Sequence, residues 1–314
     1  MKVTIIGGGG RVGSTAAYAL QLGGLVRELA LVDVARDVAE GEALDLRHGA
    51  ALVEAQKIYA GGPESISGSD IVLITAGLRR KPDESRLELI NRNVTVFKGI
   101  LDDIKRAKLP EDVLICVVSN PVDILTYLAA ASGIVPPQRV IGLGTLLDTT
   151  RFRSVLAERF DVDPKSVDAL ILGEHGDTMV PIWSTATING VPLRSFPGYD
   201  KEKVEDAFRF TKQSGAEVIK LKGGAGYAVG VTIRELVHAI LRNERSVMPV
   251  STLQHGALGI KDVCLSLPTI VGRTGAAGII EIDLSETELQ GIKNSEKVLK
   301  ETINQIGFTK SHIH

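Results

Sequence analysis

The sequence predicts an α/β protein, with a doubly wound parallel sheet in its N-terminal half and an α+β domain after it. In the first half, short runs rich in β-branched residues alternate with amphipathic stretches, which is the pattern of a parallel sheet covered by helices on both faces. After about residue 144 this alternation ends, and long helices are followed by strand-like runs. We therefore expect two domains, at residues 1–143 and 144–314.

The elements of the first half follow from short apolar runs that are bounded by glycine or polar residues. Strands of this type are buried on both faces, so they are apolar throughout instead of alternating. The predicted strands are residues 3–6, 29–33, 71–75, 113–118 and 140–142. Helical periodicity predicts helices at residues 14–22 and 86–107.

The second half mixes long helices with hairpins. Helices are predicted at residues 147–160, 201–221 and 227–241, and a strand is predicted to end at Gly173. Asn189-Gly190 is typical of a tight hairpin turn, and apolar strand-like runs lie between residues 247 and 282. Ser285 and Glu288 form a capping-box pattern ahead of a final helix that runs to about Ile306.

Composition and charge exclude several classes of function. The 36 Lys and Arg residues and 38 Asp and Glu residues leave a net charge of −2, so no basic field favours nucleic acid or an anionic membrane as a partner. No apolar stretch has the length of a membrane span or a secretory signal. Cys116 and Cys264 stand in apolar runs without metal-site spacing, which predicts buried thiols in a reducing, cytoplasmic compartment and no metal site.

A glycine-rich motif follows the first predicted strand and opens the first predicted helix. It matches the pattern G-x-G-x-x-G through Gly8, Gly9, Gly10, Arg11, Val12 and Gly13. In this context backbone N–H groups and the helix dipole bind the pyrophosphate of a dinucleotide. Four consecutive glycines are also compatible with a simple tight turn.

Asp33 strengthens the dinucleotide interpretation. It ends the second predicted strand twenty residues after Gly13, where a carboxylate accepts hydrogen bonds from the adenosine ribose and repels a 2′-phosphate. The sequence therefore favours NAD over NADP as the cofactor, although Arg36 lies close by. Val118 and Ser119 follow a later strand, at the sheet edge where ligands of such folds collect.

A second group of residues is typical of acid–base chemistry on a carboxylate-bearing substrate. His175 stands between glycines at the end of an apolar strand, an accessible place for a proton-transferring imidazole. Asp148 and Arg151 lie three residues apart, so they share one helical face. They are equally compatible with a helix cap on Thr145 and a surface ion pair.

Two further segments contribute candidates. Asn120 precedes a proline at a predicted strand end, where it is either a helix N-cap or a hydrogen-bond partner for substrate. The segment 79–86 is a polar loop with three consecutive cations that opens a long helix. It is either a solvated loop or one that closes over an anion through Pro82.

The chain resembles the lactate/malate dehydrogenase family over nearly its whole length. Five motifs in the family's order carry the resemblance, and they lie at residues 8–13, 75–86, 117–123, 146–153 and 173–177. The resemblance implies a Rossmann domain that binds NAD, followed by a substrate domain. It also implies a homodimer or homotetramer that acts on a small 2-hydroxy acid.

The resemblance also implies roles for single residues. His175 would be the proton donor and acceptor, and Asp148 would orient it. Arg151 would clamp the substrate carboxylate, and Arg86 would polarise the reacting carbonyl. Asn120 would contact both substrate and cofactor.

Outside that group, Asn93 would contact NAD. The choice of substrate depends on the position six residues before Arg86, which is Arg80 here. Malate dehydrogenases carry arginine at this position, and Ala225 leaves room for a second carboxylate. The resemblance thus predicts a malate dehydrogenase of the lactate-dehydrogenase-like type, an enzyme of the tricarboxylic acid cycle.

Two alternatives remain at this stage. One is an L-lactate or other 2-hydroxy acid dehydrogenase with Arg80 turned to solvent, and residues 119–127 and 147–160 resemble lactate dehydrogenases more closely. Arg79 and Asp83 also depart from the usual loop pattern. The other alternative is a non-catalytic NAD-binding module that keeps the fold.

Overall fold

The computed structural model describes residues 1–78 and 83–307. Within these residues one large sheet contains six parallel strands in the order β6-β5-β4-β1-β2-β3. They are β1 (Lys2–Ile6), β2 (Glu28–Val32), β3 (Lys57–Gly61), β4 (Ile71–Ile74), β5 (Leu114–Val117) and β6 (Val140–Gly142). Because the chain proceeds from β1 to both sides, the sheet is doubly wound, which confirms the predicted fold class.

Helices cover both faces of these strands. They are α1 (Arg11–Gly23), α2 (Arg36–His48), α3 (Arg86–Arg106) and α4 (Val122–Ala131). One buried apolar cluster joins α1 and α2 to the sheet through side chains such as Leu20 and Leu31. A second cluster joins α3 and α4 to the opposite face through side chains such as Phe97 and Leu125. Packing on both faces explains why the central strands are mostly apolar and buried at nearly every position.

Sequence patterning missed β3. Its segment contains Lys57 and Tyr59, and only Ile58 is fully buried. As the outermost strand of the sheet, β3 packs only in part, so it lacks the continuous apolar run of its neighbours.

The second half is α+β, as predicted. Its helices are α5 (Leu146–Phe160), α6 (Lys201–Lys222), α7 (Tyr227–Arg242) and α8 (Glu286–Gln305). Its strands are β7 (Val167–Leu172), β8 (Val180–Ile188), β9 (Val191–Pro192), β10 (Ser246–His255), β11 (Lys261–Gly272) and β12 (Gly275–Ile279). The predicted turn at Asn189-Gly190 joins β8 to β9, and Ser285 and Glu288 form the predicted capping box of α8.

The large sheet continues past residue 143. Strands β10, β11 and β12 add to it in antiparallel fashion, and β10 joins β6 where Ser251 pairs with Gly142. The two halves of the chain therefore share one sheet, and the boundary at residues 143 and 144 stays a prediction. None of the helices within the described residues has the length and apolarity to span a bilayer.

Candidate active site

The carboxyl ends of the parallel strands β1, β2, β4 and β5 lie at one edge of the sheet. Between β1 and β4 the winding direction changes, and such a switch point opens a crevice for ligands. The backbones approach closely here, because a Cβ at Gly7 would lie 2.5 Å from the backbone nitrogen of Ala76. The glycine motif, Asp33, Val118, Ser119 and Asn120 follow strands that end at this edge, whereas Asn93 lies in α3 (Arg86–Arg106).

The glycine motif forms the turn from β1 into α1. Gly10 precedes the first residue of α1 and supplies no side-chain cap, so the first N–H groups of the helix point out of its end. Gly13 packs against the turn so tightly that a Cβ would lie 2.1 Å from the carbonyl oxygen of Gly7. An uncapped helix start beside a compact glycine turn fits a pyrophosphate.

Asp33 lies directly after β2 and is bonded to the glycine motif. Its Oδ2 accepts a hydrogen bond from the N–H of Gly9 at 3.0 Å, and its Oδ1 accepts one from Ala35 at 3.0 Å. The carboxylate is therefore fixed beside the glycine motif, where it could accept hydrogen bonds from a ribose and would disfavour a 2′-phosphate. The neighbouring Arg36 lies beside Gly62 and the carboxylate of Glu64.

Ser119 and Asn93 anchor the backbone next to the crevice. The Ser119 hydroxyl donates to the carbonyl of Ala76 at 2.5 Å, and Val118 continues the pairing of β5 with β4. Asn93 is buried in α3, where its Oδ1 accepts the N–H of Leu78 at 2.7 Å. Its amide therefore holds the backbone at Leu78, and the predicted contact with NAD stays a prediction.

His175 and Asp148 form a hydrogen-bonded pair. Nδ1 of His175 bonds Oδ2 of Asp148, which is 2% exposed near the start of α5. The glycine before this segment, Gly173, is held by two backbone hydrogen bonds to Ser266, each 2.9 Å long. Because Nδ1 faces Asp148, Nε2 is the nitrogen that remains to exchange a proton with a ligand.

Asp148 and His175 shift each other's pKa in opposite directions. Burial alone would raise the pKa of Asp148, but the charge and hydrogen bond of His175, together with Arg151, hold that pKa below its ordinary value. Burial would likewise lower the pKa of His175, and the carboxylate of Asp148 outweighs it and raises that pKa. The charged imidazolium is therefore favoured at this position.

Arg151 lies one helical turn after Asp148. Its Nη1 is 3.3 Å from Oδ1 of Asp148, and its side chain is 16% exposed. Across from it, a Cβ at Gly215 in α6 would lie 3.6 Å from the same nitrogen. A partly buried guanidinium between two helices is suited to a bidentate carboxylate contact. The alternative cap on Thr145 is absent, because its hydroxyl donates to the carbonyl of Ile171.

Arg86 comes to the same region from the start of α3. Its guanidinium pairs with Asp177 at 2.9 Å and with Glu174 at 3.4 Å. Both carboxylates flank His175 in the chain, so Arg86 lies next to the histidine segment. The sequence prediction placed Arg86 here but missed both carboxylate partners.

Asp123 is a buried residue whose role the sequence prediction missed. Its Oδ2 accepts the backbone N–H of His175 at 2.8 Å, and its side chain is 3% exposed. Burial raises the pKa of Asp123 to about 6, against the opposing effects of Ser251 and the His175 amide. A carboxylate in the largely apolar helix α4 was the signal that it needed a specific partner.

Of the other predicted substrate residues, the structure describes Asn120 but not Arg80. Asn120 is exposed just before α4, its Oδ1 accepts the N–H of Val122 at 3.2 Å, and its bond to Pro121 is cis. Helix α4 begins at Val122, so Pro121 and not Asn120 occupies its N-cap position. Arg80, on which the malate prediction depended, and Pro82 lie outside the described residues.

Comparison with known families accounts for almost the entire chain. Residues 1–142 match the family model described as the NAD binding domain of lactate/malate dehydrogenase. Residues 145–309 match the model for the alpha/beta C-terminal domain of the same family. The cofactor is therefore NAD, as predicted, and the chain is an oxidoreductase.

Individual relatives cover the chain from end to end. L-lactate dehydrogenase 1 of Clostridium acetobutylicum is 43% identical over 97% of this chain and 98% of its own. L-lactate dehydrogenase of Acetivibrio thermocellus is 44% identical over 97% of each chain. Among solved structures, the minor L-lactate dehydrogenase of Enterococcus mundtii superposes with a TM-score of 0.93 at 36% identity, over 97% of this chain and 98% of its own.

These relatives correct one prediction. All are named lactate dehydrogenases, so the prediction of malate as substrate, and with it a place in the tricarboxylic acid cycle, is wrong. That prediction gave decisive weight to Arg80 and Ala225. A guanidinium on a polar loop does not require a second carboxylate, because it is stable in water without a partner. With both halves matched in sequence and fold, the chain belongs to the lactate/malate dehydrogenase family of NAD-dependent oxidoreductases.

Proposed function

We propose that this protein is an L-lactate dehydrogenase, which interconverts L-lactate and pyruvate with NAD. One observation carries the proposal: the His175–Asp148 pair lies beside Arg151, whose guanidinium suits a single carboxylate. The names of the full-length relatives support the same substrate.

In this proposal each side chain has a distinct task. NAD supplies the hydride acceptor for lactate oxidation. His175 takes the hydroxyl proton in that direction and returns a proton to the oxygen in the other. Asp148 fixes the tautomer and stabilises the imidazolium, and Arg151 holds the C1 carboxylate in one orientation. Arg86 stabilises the negative charge that develops on the carbonyl oxygen.

The charges of the described residues near His175 favour a monocarboxylate. Within residues 1–78 and 83–307, Arg86 already faces Glu174 and Asp177, and Arg151 faces Asp148. A second substrate carboxylate near Arg86 would meet two like charges, which costs binding free energy. Pyruvate brings only one carboxylate, and Arg151 accommodates it.

The remaining predicted contacts are part of the same proposal. The backbone of Gly8–Gly13 would hold the pyrophosphate and Asp33 the adenosine ribose. Val118, Ser119 and Asn93 would line the nicotinamide side, and Asn120 would bond both ligands. A ribose contact is contradicted if Asp33→Ala leaves the Kd for NADH unchanged.

A homodimer or homotetramer is also proposed. Apolar side chains on α1 and α2 support it, since Tyr18 and Leu22 are each 55% exposed and Val38 is 50% exposed. A monomer at micromolar concentration in sedimentation velocity would contradict it.

Replacing Asp148 with asparagine is expected to move the pH profile of pyruvate reduction. Reduction requires the imidazolium, so kcat/KM falls as the pH rises through the raised pKa of His175. Without the carboxylate, burial lowers that pKa, and we expect the falling limb to shift to lower pH by about one unit or more. Asp168→Asn, at an exposed carboxylate paired with Arg153, is the control and should leave the profile in place.

The product of the reaction tests the proposed function. Incubation of the protein with NADH and pyruvate should give L-lactate in an amount equal to the NADH consumed, as measured by chiral chromatography. Formation of D-lactate, or no NADH consumption above a protein-free control, would contradict the proposal.

A further inference from the structure

The side chain of Arg11 reaches away from the glycine motif toward the second half of the chain. Its Nη1 donates to the carbonyl oxygens of Lys222 and Gly224, the latter at 2.9 Å. The last residue of α6, Lys222, and the four residues that connect it to α7 form the α6–α7 junction, residues 222–226. The residue that opens α1 is thus bonded to the end of a helix more than 200 positions later in the chain.

The α6–α7 junction is shaped to fit this side chain. Gly223 and Gly224 have φ values of 77° and 147°, which turn their carbonyl groups in a way that L side chains rarely permit. A Cβ at Gly226 would lie 3.3 Å from Cγ of Arg11 and 3.0 Å from Oγ1 of Thr15. The junction therefore lies directly on the first turn of α1.

The chemistry of the contact favours an arginine. The carbonyl of Lys222 is at the C-terminus of α6, where unpaired carbonyls and the helix dipole attract a cation. Among the described residues, the guanidinium of Arg11 forms no ion pair with a carboxylate and donates instead to these two carbonyls. One guanidinium nitrogen thereby satisfies two acceptors at the end of the helix.

Helix α6 connects this contact to the substrate side. Gly215 on α6 lies opposite Arg151, and Lys212 donates to the carbonyl of Asp177 at 2.7 Å. Gly215 is two helical turns before Lys222, a distance of about 10 Å along the axis. Movement of the junction would therefore move the helix that faces the carboxylate clamp.

We infer that Arg11 is a positioning residue. It fixes the C-terminal end of α6 to the glycine motif and thereby holds α6 in place opposite Arg151. The inference rests on the proposed function for its effect on substrate. The contact itself exists independently of which 2-oxo acid is reduced. The cofactor is held by the backbone of the loop, so the side chain of Arg11 affects substrate binding more than NADH binding.

The first experiment is amide hydrogen exchange of residues 222–226 in the full-length protein and in Arg11→Met. Loss of both hydrogen bonds should speed exchange there by about tenfold. Arg11→Lys keeps the charge and can bond one carbonyl, so it should show an intermediate rate. Arg27→Met, at an exposed arginine elsewhere, is the control and should match the wild type. Unchanged exchange in Arg11→Met would overturn the inference, whatever substrate the enzyme uses.

The second experiment separates substrate from cofactor. In Arg11→Met we expect the KM for pyruvate to rise about tenfold with kcat nearly unchanged. The Kd for NADH, measured by fluorescence titration, should stay within about twofold of the wild type. A Kd for NADH that rises as much as the KM would overturn the inference in favour of direct cofactor binding. Absence of pyruvate turnover in the wild type would refute the proposed function, and hydrogen exchange would still decide the positioning role.

Discussion

Replacing His175 with asparagine is expected to lower kcat for pyruvate reduction by roughly 100- to 10,000-fold, the range for removal of a general acid. Asparagine keeps a polar side chain next to Asp148 but donates no titratable proton to the substrate oxygen. In the proposed site NADH is held by the glycine motif and Asp33, so its Kd should change little. Steady-state kinetics and a fluorescence titration of NADH measure the two effects.

The control for this change is His255→Asn, at an exposed histidine at the end of β10. It should retain wild-type kcat and Kd. Turnover within about threefold of wild type in His175→Asn would remove the histidine from the proton-transfer step.

Replacing Arg151 with lysine is expected to lower kcat/KM for pyruvate by roughly 100-fold. Lysine keeps the positive charge but lacks the planar fork that bonds both carboxylate oxygens, so the substrate loses its fixed orientation. The KM should rise and kcat should fall, because orientation matters in both the bound state and the transition state. Initial-rate kinetics across a range of pyruvate concentrations measure both constants.

Arg153→Lys provides a matched control on the same helix. Arg153 pairs with Asp168 at 3.0 Å on the surface, and its replacement should leave kcat/KM unchanged within about twofold. If Arg151→Lys behaves like Arg153→Lys, then Arg151 does not bind the substrate carboxylate.

Local sequence patterns predicted most of the fold. The central strands β1, β2, β4, β5 and β6 are buried on both faces, so their mostly apolar runs are easily recognised. Strand β3 was missed because an edge strand packs on part of its surface. The continuation of the sheet from β6 to β10 was also missed, because that pairing joins segments more than 100 residues apart.

The residues of the candidate site were predictable where they belong to short motifs. His175, Asp148 and Arg151 come from two segments, and the structure brings them together as the motifs implied. The contacts of Asp123 with the His175 backbone and of Glu174 with Arg86 were not predicted, because each depends on the tertiary packing of distant segments.

The prediction of the substrate from single residues was wrong. Arg80 is a single charge whose effect on specificity depends on whether it is desolvated against the substrate. A residue type cannot specify that environment. Full-length similarity to lactate dehydrogenases depends on many positions, so it is stronger evidence about the substrate than one arginine is.

The proposed function requires that the site take a 2-oxo acid with one carboxylate. The most direct test is to measure kcat/KM for pyruvate and for oxaloacetate side by side, with saturating NADH and the same enzyme preparation. Since a second carboxylate would face Glu174 and Asp177, we expect kcat/KM for pyruvate to be at least about tenfold higher. A higher kcat/KM for oxaloacetate would contradict the account.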